Sequence, residues 1–353
     1  MNENARLAGI GAGGAIALYL IITIVLGAFW SFEPKQFDPV AAANAHAKAH
    51  SERTVPGYTT TVTAVELTNR LLDKPGGFLA NDLLPPGVWL DDMPNFEEGV
   101  VLQLRDFALA LRNDWSRPQS QSNEDQDLIE VQGQFQIDTR SWAFPSAEGS
   151  YRSGAAHLRS YLARLADSNA QDAQFYARAD NLSRWLELVQ RRLGSLTQKL
   201  SQSVANGATS DSSSNPSGTS SGSPSGMASG TEVNTAGATD LPQQVLPPYV
   251  APPITSWSQR DDVFYQARGQ AWALIHLLKA VQVDFAEVLA RKNATVSTAN
   301  IVRELEATQD TIWSPVILNG DGFGLVANHS LVMAAYLARA NASVAQLRDL
   351  LAR

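Results

Sequence analysis

A glycine-rich loop near the carboxyl end carries residue types that bind small ligands. The candidate residues of this loop and of the helix that follows are Asn319, Gly320, Asp321, Gly322, Gly324, Asn328 and His329. Glycines before a helix N-terminus let backbone amides meet an anion, whose charge the helix dipole favours. The sequence therefore predicts a candidate ligand-binding loop. The alternative is a tight turn that needs positive φ, with Asn328 as helix cap and His329 hydrogen-bonded in the core.

Two common loop motifs do not fit these residues. A Walker A loop closes with Gly-Lys-Ser/Thr, and this loop does not. In an EF-hand counted from Asn319, the twelfth residue is a bidentate glutamate, whereas this chain has Ser330. We therefore expect neither a P-loop nor a calcium site here.

A second polar cluster lies on a predicted helix of the carboxyl-terminal half and consists of Asp261, Asp262, Arg268 and His276. Two carboxylates at a suitable separation, one with a raised pKa, are the equipment of a glycosidase. The alternative is structural, because acids at a helix N-terminus interact with its dipole and Arg268 can pair with an acid. No Gly-x-Ser-x-Gly or His-Glu-x-x-His motif accompanies the cluster.

Composition argues against several other chemistries. The chain has no cysteine, and therefore no thiol nucleophile, disulfide or zinc knuckle. His46 and His50 lie one helical turn apart, but a zinc site needs a third ligand, so a solvated helical tether is expected instead. The net charge of −8 and the lack of a basic stripe argue against nucleic-acid binding. We predict no cofactor, no metal and no nucleic-acid partner.

An uncharged apolar run, residues 7–30, decides where in the cell these residues lie. As a helix it would be roughly 36 Å long, enough to cross a hydrocarbon core of about 30 Å. The run is longer than a signal-peptide core of about 7–15 residues, and no Ala-x-Ala pattern follows it, which favours an uncleaved signal anchor. We predict a bacterial inner-membrane protein with a cytoplasmic N-terminus, a periplasmic body and the lipid bilayer as a partner.

Residues 9–14 of this run match the pattern Gly-x-Gly-x-x-Gly. A dinucleotide site needs that pattern between a strand and a helix, and here it lies inside a membrane-spanning helix. Gly9 and Gly13 instead have the small-xxx-small spacing that lets two membrane helices approach closely. They are a candidate helix–helix contact, although glycine is also common in membrane helices in general.

The rest of the chain predicts a mainly α protein, a helical-bundle-like body with long ordered loops and a disordered insert. Apolar residues step by four and three over 151–165, 175–200 and 264–288, which is typical of packed helices. Alternation of apolar and polar residues over 129–137 predicts one strand. A Ser/Gly/Thr/Pro-rich stretch, residues 206–237, contains too few apolar residues to fold.

These patterns divide the chain into six predicted segments. They are a cytoplasmic tail (1–6), a transmembrane helix (7–30), a juxtamembrane connector (31–58), a first helical half (59–205), a disordered Ser/Gly/Pro-rich linker (206–256) and a second helical half (257–353).

Several stretches resemble a known protein family. They are Leu72-Asp-Lys-Pro-Gly-Gly-Phe-Leu-Ala-Asn-Asp82, Pro86-Gly-Val-Trp-Leu-Asp-Asp-Met-Pro-Asn95, Asp261-Asp-Val-Phe-Tyr-Gln-Ala-Arg-Gly-Gln-Ala-Trp-Ala-Leu274, and Ser314-Pro-Val-Ile-Leu-Asn-Gly320 through Ala327-Asn-His-Ser330. They resemble a mostly proteobacterial family of membrane-anchored proteins known only as a domain of unknown function. The likeness spans nearly the whole chain except the Ser/Gly insert. It implies an inner-membrane envelope protein and assigns no role to any residue.

Three functions follow as hypotheses. The anchor, the repeated helical seams and the lack of a catalytic motif favour a scaffolding or partner-binding envelope protein, whose partner is another protein or a second copy. One alternative is an envelope or cell-wall hydrolase that uses Asp261, Asp262, His276 and His329. The other is a small-ligand binder that uses the loop Asn319–Gly324.

Overall fold

The computed structural model describes residues 3–117, 124–169, 172–209, 259–314, 316–320 and 326–353, with the side chains of 3–10 and 204–209 left out. These residues form eleven α-helices, which confirms the predicted mainly α class. The helices are α1 (Glu3–Trp30), α2 (Pro39–His50), α3 (Tyr58–Leu72), α4 (Asp92–Ala110), α5 (Gln126–Phe135), α6 (Ala147–Ala166), α7 (Ala179–Thr209), α8 (Arg260–Asp284), α9 (Ala286–Arg291), α10 (Thr295–Glu306) and α11 (His329–Ala352).

Helix α8 is the central helix of the body and is buried along most of its length. It crosses α4 at two glycines, because a Cβ at Gly269 would overlap the carbonyl of Phe96 and one at Gly99 would overlap that of Gln266. Glycine has no Cβ and permits this direct contact between two backbones. The two helices therefore hold each other in one fixed arrangement.

Helices α7 and α11 form the second large pair of the body. The apolar seam predicted for 175–200 is buried in this structure, at Leu182, Leu186, Val189, Leu193, Leu196 and Leu200. Arg348 near the end of α11 donates to Gln190 of α7 at 2.6 Å, while a Cβ at Gly194 would lie 3.6 Å from the Asn341 side chain. The later residue of α11, Arg348, contacts the earlier residue of α7, Gln190, while Asn341 lies next to Gly194. The two helices are therefore antiparallel.

The predicted strand at 129–137 is wrong, because these residues belong to α5 and to the turn after it. Asp125 caps the helix by accepting from the amides of Asp127 and Leu128. Leu128, Val131 and Phe135 are buried at helical spacing. The alternation seen in the sequence was therefore one face of a short helix, and a local cap decided the conformation.

Two other expectations concern the segments on either side of the first helical half. Residues 39–50 do form a helix, but Ala43 and Ala47 are buried and the His46 ring lies 2.9 Å from the Tyr58 hydroxyl. The connector is thus packed on the body, and the expected solvated tether is wrong. Of the predicted linker 206–256, residues 206–209 continue α7 and the remainder lies outside the described residues.

The helices of the body run between two ends, which are defined by α8. From its start to its end, three side chains of α8 make hydrogen bonds with other parts of the chain. Asp262 binds Asn95, Arg268 binds Glu33, and Asp284 binds the Thr60 amide. The proximal end, next to the junction with α1, comprises the described loops 73–91, 136–146, 307–314, 316–320 and 326–328, together with the helix turns that adjoin them. The distal end comprises 51–57, 116–117, 124–125, 167–169, 172–178 and 285–294, together with the helix turns that adjoin them.

Candidate functional site

The junction between α1 and the body is a set of direct contacts. A Cβ at Gly27 would lie 3.5 Å from Pro86 and 3.8 Å from Leu90. Trp30, the last residue of α1, packs so closely on Gly76 that a Cβ there would overlap its ring. The end of α1 is therefore packed against two parts of the proximal loop 73–91.

Arg268 continues this junction from the centre of the body. Its Nε donates to Glu33 at 2.6 Å, and its Nη1 donates to the carbonyls of Thr308 and Asp310, each at 2.9 Å. Its Nη2 donates to the Gln309 carbonyl at 3.1 Å. The guanidinium thus links the segment after α1 to the loop after α10. Its planar group of donors serves here to hold two segments together.

His276 holds the next residues of the connector. The Phe37 amide donates to its Nε2 at 3.0 Å, and its Nδ1 lies 2.7 Å from the Trp272 carbonyl. A carbonyl only accepts, so Nδ1 carries the proton and the ring is neutral. Burial lowers the pKa of His276 to about 4. Phe37 stacks on the ring with centroids 4.2 Å apart, and so neither nitrogen is available to a substrate.

An acidic cleft lies at the proximal end between α4, α8 and the loops 79–91 and 139–140. It encloses about 390 Å³ and its polar lining is Asn81, Asp82, Asp91, Asn95, Glu98, Thr139, Arg140 and Asp262. Asn95 donates to Asp262 at 2.6 Å and so fixes one carboxylate on the cleft wall. Of the residues singled out from the sequence, Asp262 lines this cleft.

The carboxylates around the cleft repel one another. Burial first, and then the charges of Asp91, Asp261 and Asp262, raise the pKa of Asp92 to about 7. Burial also raises the pKa of Asp82 and of Asp262. A carboxyl that titrates near neutral pH can hold or release a proton, but Asp92 lies beside the cleft lining and not in it.

Most of the polar residues of this cleft were not predicted from the sequence. The lining carboxylates Asp82, Asp91 and Glu98, and the neighbouring Asp92, were not among the candidate residues, although Asp91 and Asp92 form a visible acidic pair after a proline-rich stretch. That pair is the signal that could have been used. Its approach to Asp262 depends on how α4 crosses α8, and this crossing is not visible in local spacing.

The glycine-rich loop is described only in part. Asp321, Gly322 and Gly324 lie outside the described residues. Asn328 caps α11 by accepting from the Leu331 amide at 2.8 Å, and the His329 Nδ1 accepts from the Leu318 amide at 3.1 Å. Asn319 accepts from the Ser330 amide at 3.2 Å, and Gly320 donates to the Ala327 carbonyl at 3.1 Å.

A second cavity adjoins this loop and is mostly apolar. It encloses about 600 Å³, and its lining includes Phe264, Arg268, Trp313, His329, Met333 and Tyr336. Burial lowers the pKa of His329, which favours the neutral ring. Arg268 and His329 thus share one cavity, whereas Asp262 lines the acidic cleft and His276 lines neither.

The four residues of the hydrolase hypothesis are therefore not brought to one pocket. Within the described parts of the chain, no group of three or more His, Asp or Glu side chains is arranged to hold a metal ion. In α1, a Cβ at Gly13 would meet nothing within 4 Å, while the surroundings of Gly9 lie outside the described side chains. The predicted contact through Gly9 and Gly13 stays a prediction.

Comparison with known proteins gives one match. The model of the family DUF2333, described as uncharacterized proteins conserved in bacteria, matches residues 3–353. No curated protein and no solved structure matches the chain. The predicted resemblance to a domain of unknown function is confirmed over nearly the whole length.

Proposed function

The chain belongs to the DUF2333 family, whose description names no activity, so we propose a function from the geometry of the junction. We propose that it is a single-pass inner-membrane protein whose helical body stands in the periplasm and holds a partner protein or a second copy at the membrane surface. Among the residues that the structure describes, one apolar helix, Gly11–Trp30, is long enough to cross a membrane, and a signal sequence near the N-terminus would look the same.

The observation that carries the proposal is the rigid junction after α1. A cleaved leader needs no packed contact with the mature protein, yet Trp30 is seated on Gly76 and Glu33 is bound by Arg268. Such contacts hold the body in one orientation relative to the helix. A scaffold benefits from this arrangement, because a partner then always meets the same face at the same height.

The first experiment tests the anchor. Membranes that contain the full chain are washed with alkaline carbonate, and a chain with alkaline phosphatase fused to its C-terminus is assayed in intact cells. The proposal predicts that the protein stays in the pellet at full length and that the fusion is active. Release into the supernatant, loss of the first 30 residues or an inactive fusion would each overturn it.

The second experiment tests the scaffold. Photo-crosslinkers placed at exposed positions of the distal and proximal ends are activated in cells, and the products are identified by mass spectrometry. The proposal predicts one reproducible partner, or a second copy, crosslinked from one end of the body. Recovery of the uncrosslinked monomer from every position would contradict a scaffolding role.

A further inference from the structure

The exposed apolar side chains of the body are concentrated at the proximal end. Those side chains are Leu83, Leu84, Val88, Trp89, Trp142, Phe144, Trp313, Val316, Val326, Leu331 and Val332. Among the large exposed apolar residues described beyond the connector, the distal end contributes Val283 and Val296. Scattered exposed apolar residues are normal, whereas a concentration on one surface marks an interaction site.

The loop that contributes four of these eleven side chains lies beside α1 and not above it. This loop, residues 83–90, contacts Gly27 through Pro86 and Leu90. Gly27 precedes Trp30 by one turn, which places the contact about 4.5 Å below the end of the helix. Thr23, a further turn deeper on the same face of α1, is also buried. The loop thus reaches alongside the apolar helix.

Neighbouring loops extend the same surface. The Asn81 side chain donates to the Ser141 carbonyl at 3.1 Å, which places the exposed Trp142 and Phe144 next to the loop 83–90. Beyond the end of α1, Arg268 joins Glu33 to the carbonyl of Asp310. The exposed Trp313 follows that carbonyl by three residues, so it lies at the same end of the body as Trp142 and Phe144.

We propose that the loop 83–90, with Trp142, Phe144 and Trp313 around it, is immersed in the outer leaflet, so that the occupant of this apolar surface is the lipid bilayer. The proposal rests on the proposed function, in which α1 spans the membrane. If α1 spans it, the loop that packs on Gly27 lies at the depth of the lipid, and lipid surrounds its exposed side chains. Amphipathic elements bury their apolar side about 5–10 Å into this region, and tryptophan favours it.

Charged residues mark where the immersed surface would end. Asp82 and Asp91 flank the loop 83–90 and line the acidic cleft, which Leu83 and Val88 of the loop also border, so the cleft marks one edge of the apolar surface. On the other flank, Lys35 and Arg70 line a depression together with the exposed Phe29 and Phe32. The carboxylates Glu33 and Asp73 line the same depression, so its mixed charges mark a second edge of the apolar surface.

Site-directed spin labelling tests the depth of this surface in the full-length protein. Because the chain has no cysteine, single labels at Leu84→Cys, Val296→Cys and Ile21→Cys are unambiguous. Leu84 and Val296 are matched controls, since both are exposed apolar residues, 77% and 71% accessible, at opposite ends of the body. Each variant is reconstituted in vesicles of phosphatidylethanolamine and phosphatidylglycerol. Collisions with oxygen, which enters lipid, and with a water-soluble nickel chelate are then compared.

The proposal predicts a several-fold higher ratio of oxygen to nickel accessibility at Leu84→Cys than at Val296→Cys, with Ile21→Cys highest. A water-like ratio at Leu84→Cys with a lipid-like ratio at Ile21→Cys would overturn the immersion and leave the anchor intact. A label at Leu84 that is shielded from both reagents would also overturn it, because a protein then covers the surface. A water-like ratio at Ile21→Cys would overturn the proposed function itself.

Discussion

The two ends of the helical body are closed in different ways. At the distal end, charged and polar side chains satisfy the helix termini: Asp284 accepts from the Thr60 amide at 2.7 Å, and Arg164 donates to Asp125 and Asp127 at 2.8 and 2.7 Å. At the proximal end, apolar and aromatic side chains stand exposed around α1. The distal end therefore presents a polar surface to solvent, whereas the proximal end presents an apolar surface that a bilayer would cover.

The largest expected effect comes from a buried ion pair of the proximal end. Lys74 lies 2.7 Å from Glu97, with both side chains almost completely buried, and Glu97 also accepts from the Leu79 amide. Removing one partner leaves an unpaired buried charge. We expect Lys74→Met to lower the free energy of unfolding by about 3–5 kcal/mol. Urea unfolding of the detergent-solubilised chain, followed by circular dichroism, measures this change.

The matched control is an exposed pair at the same end. Arg152 lies 2.8 Å from Asp73, and both side chains are more than half exposed. Because solvent screens such a pair, Arg152→Met should change the free energy of unfolding by about 0–1 kcal/mol. If Lys74→Met and Arg152→Met lowered the free energy of unfolding equally, the predicted difference between the buried and the exposed ion pair would be wrong.

The second-largest loss of stability is expected at the crossing of α8 and α4. Gly269→Ala would force a methyl group into the Phe96 carbonyl where α8 crosses α4. We expect a loss of about 1–3 kcal/mol from this overpacking. In contrast, a Cβ at Gly133 in α5 meets nothing within 4 Å, so Gly133→Ala should stabilise the helix by about 0.5–1 kcal/mol. A neutral Gly269→Ala in thermal unfolding would contradict the crossing.

At the distal end, Asp284 caps α3 from another helix. The cap residue of α3 is Gly57, which has no side chain for this purpose, and Asp284 accepts from the Thr60 amide instead. Loss of a cap typically costs about 0.5–2 kcal/mol, and we expect Asp284→Ala to fall in this range. The exposed Asp349 of α11 provides the control, since Asp349→Ala should leave unfolding unchanged.

The acidic cleft should respond to pH in a defined direction. The pKa of Asp92 is raised from 3.8 to about 7, so folding favours the protonated carboxyl. The stability that this proton provides is complete below pH 3.8 and is lost as pH rises through about 7. After solvent screening is considered, Asp92→Asn should stabilise the protein by about 1 kcal/mol at pH 8 and leave it unchanged at pH 3.5. An equal gain at both pH values would contradict the raised pKa of Asp92, which burial causes first and the neighbouring carboxylates second.

The sequence was informative wherever local spacing decides the outcome. The seams of α7 and α8, the cap at Asn328 and the apolar α1 could all be predicted from neighbouring residues. The short α5 was misread because alternation over a few residues does not separate a strand from one helical face.

Contacts between distant parts of the chain could not be predicted in this way. Arg268 binds Glu33 across 235 positions, and the amide of Phe37 reaches His276 across 239. The acidic cleft likewise combines the loop before α4 with the start of α8. The crossing of α4 and α8 at Gly99 and Gly269 brings these segments together. The sequence contains 24 glycines, and local spacing does not show which two lie at a helix crossing.

The central claim is that the proximal end lies at the membrane and the distal end stands away from it. Energy transfer from a dye at Trp313→Cys or Val296→Cys to acceptor-labelled lipid headgroups measures both heights in the reconstituted full chain. Arg268 and Asp284 are separated along α8 by about 24 Å, which is the expected order of the difference in height. We predict strong transfer from position 313 and weak transfer from position 296. Equal transfer from the two positions would contradict the account.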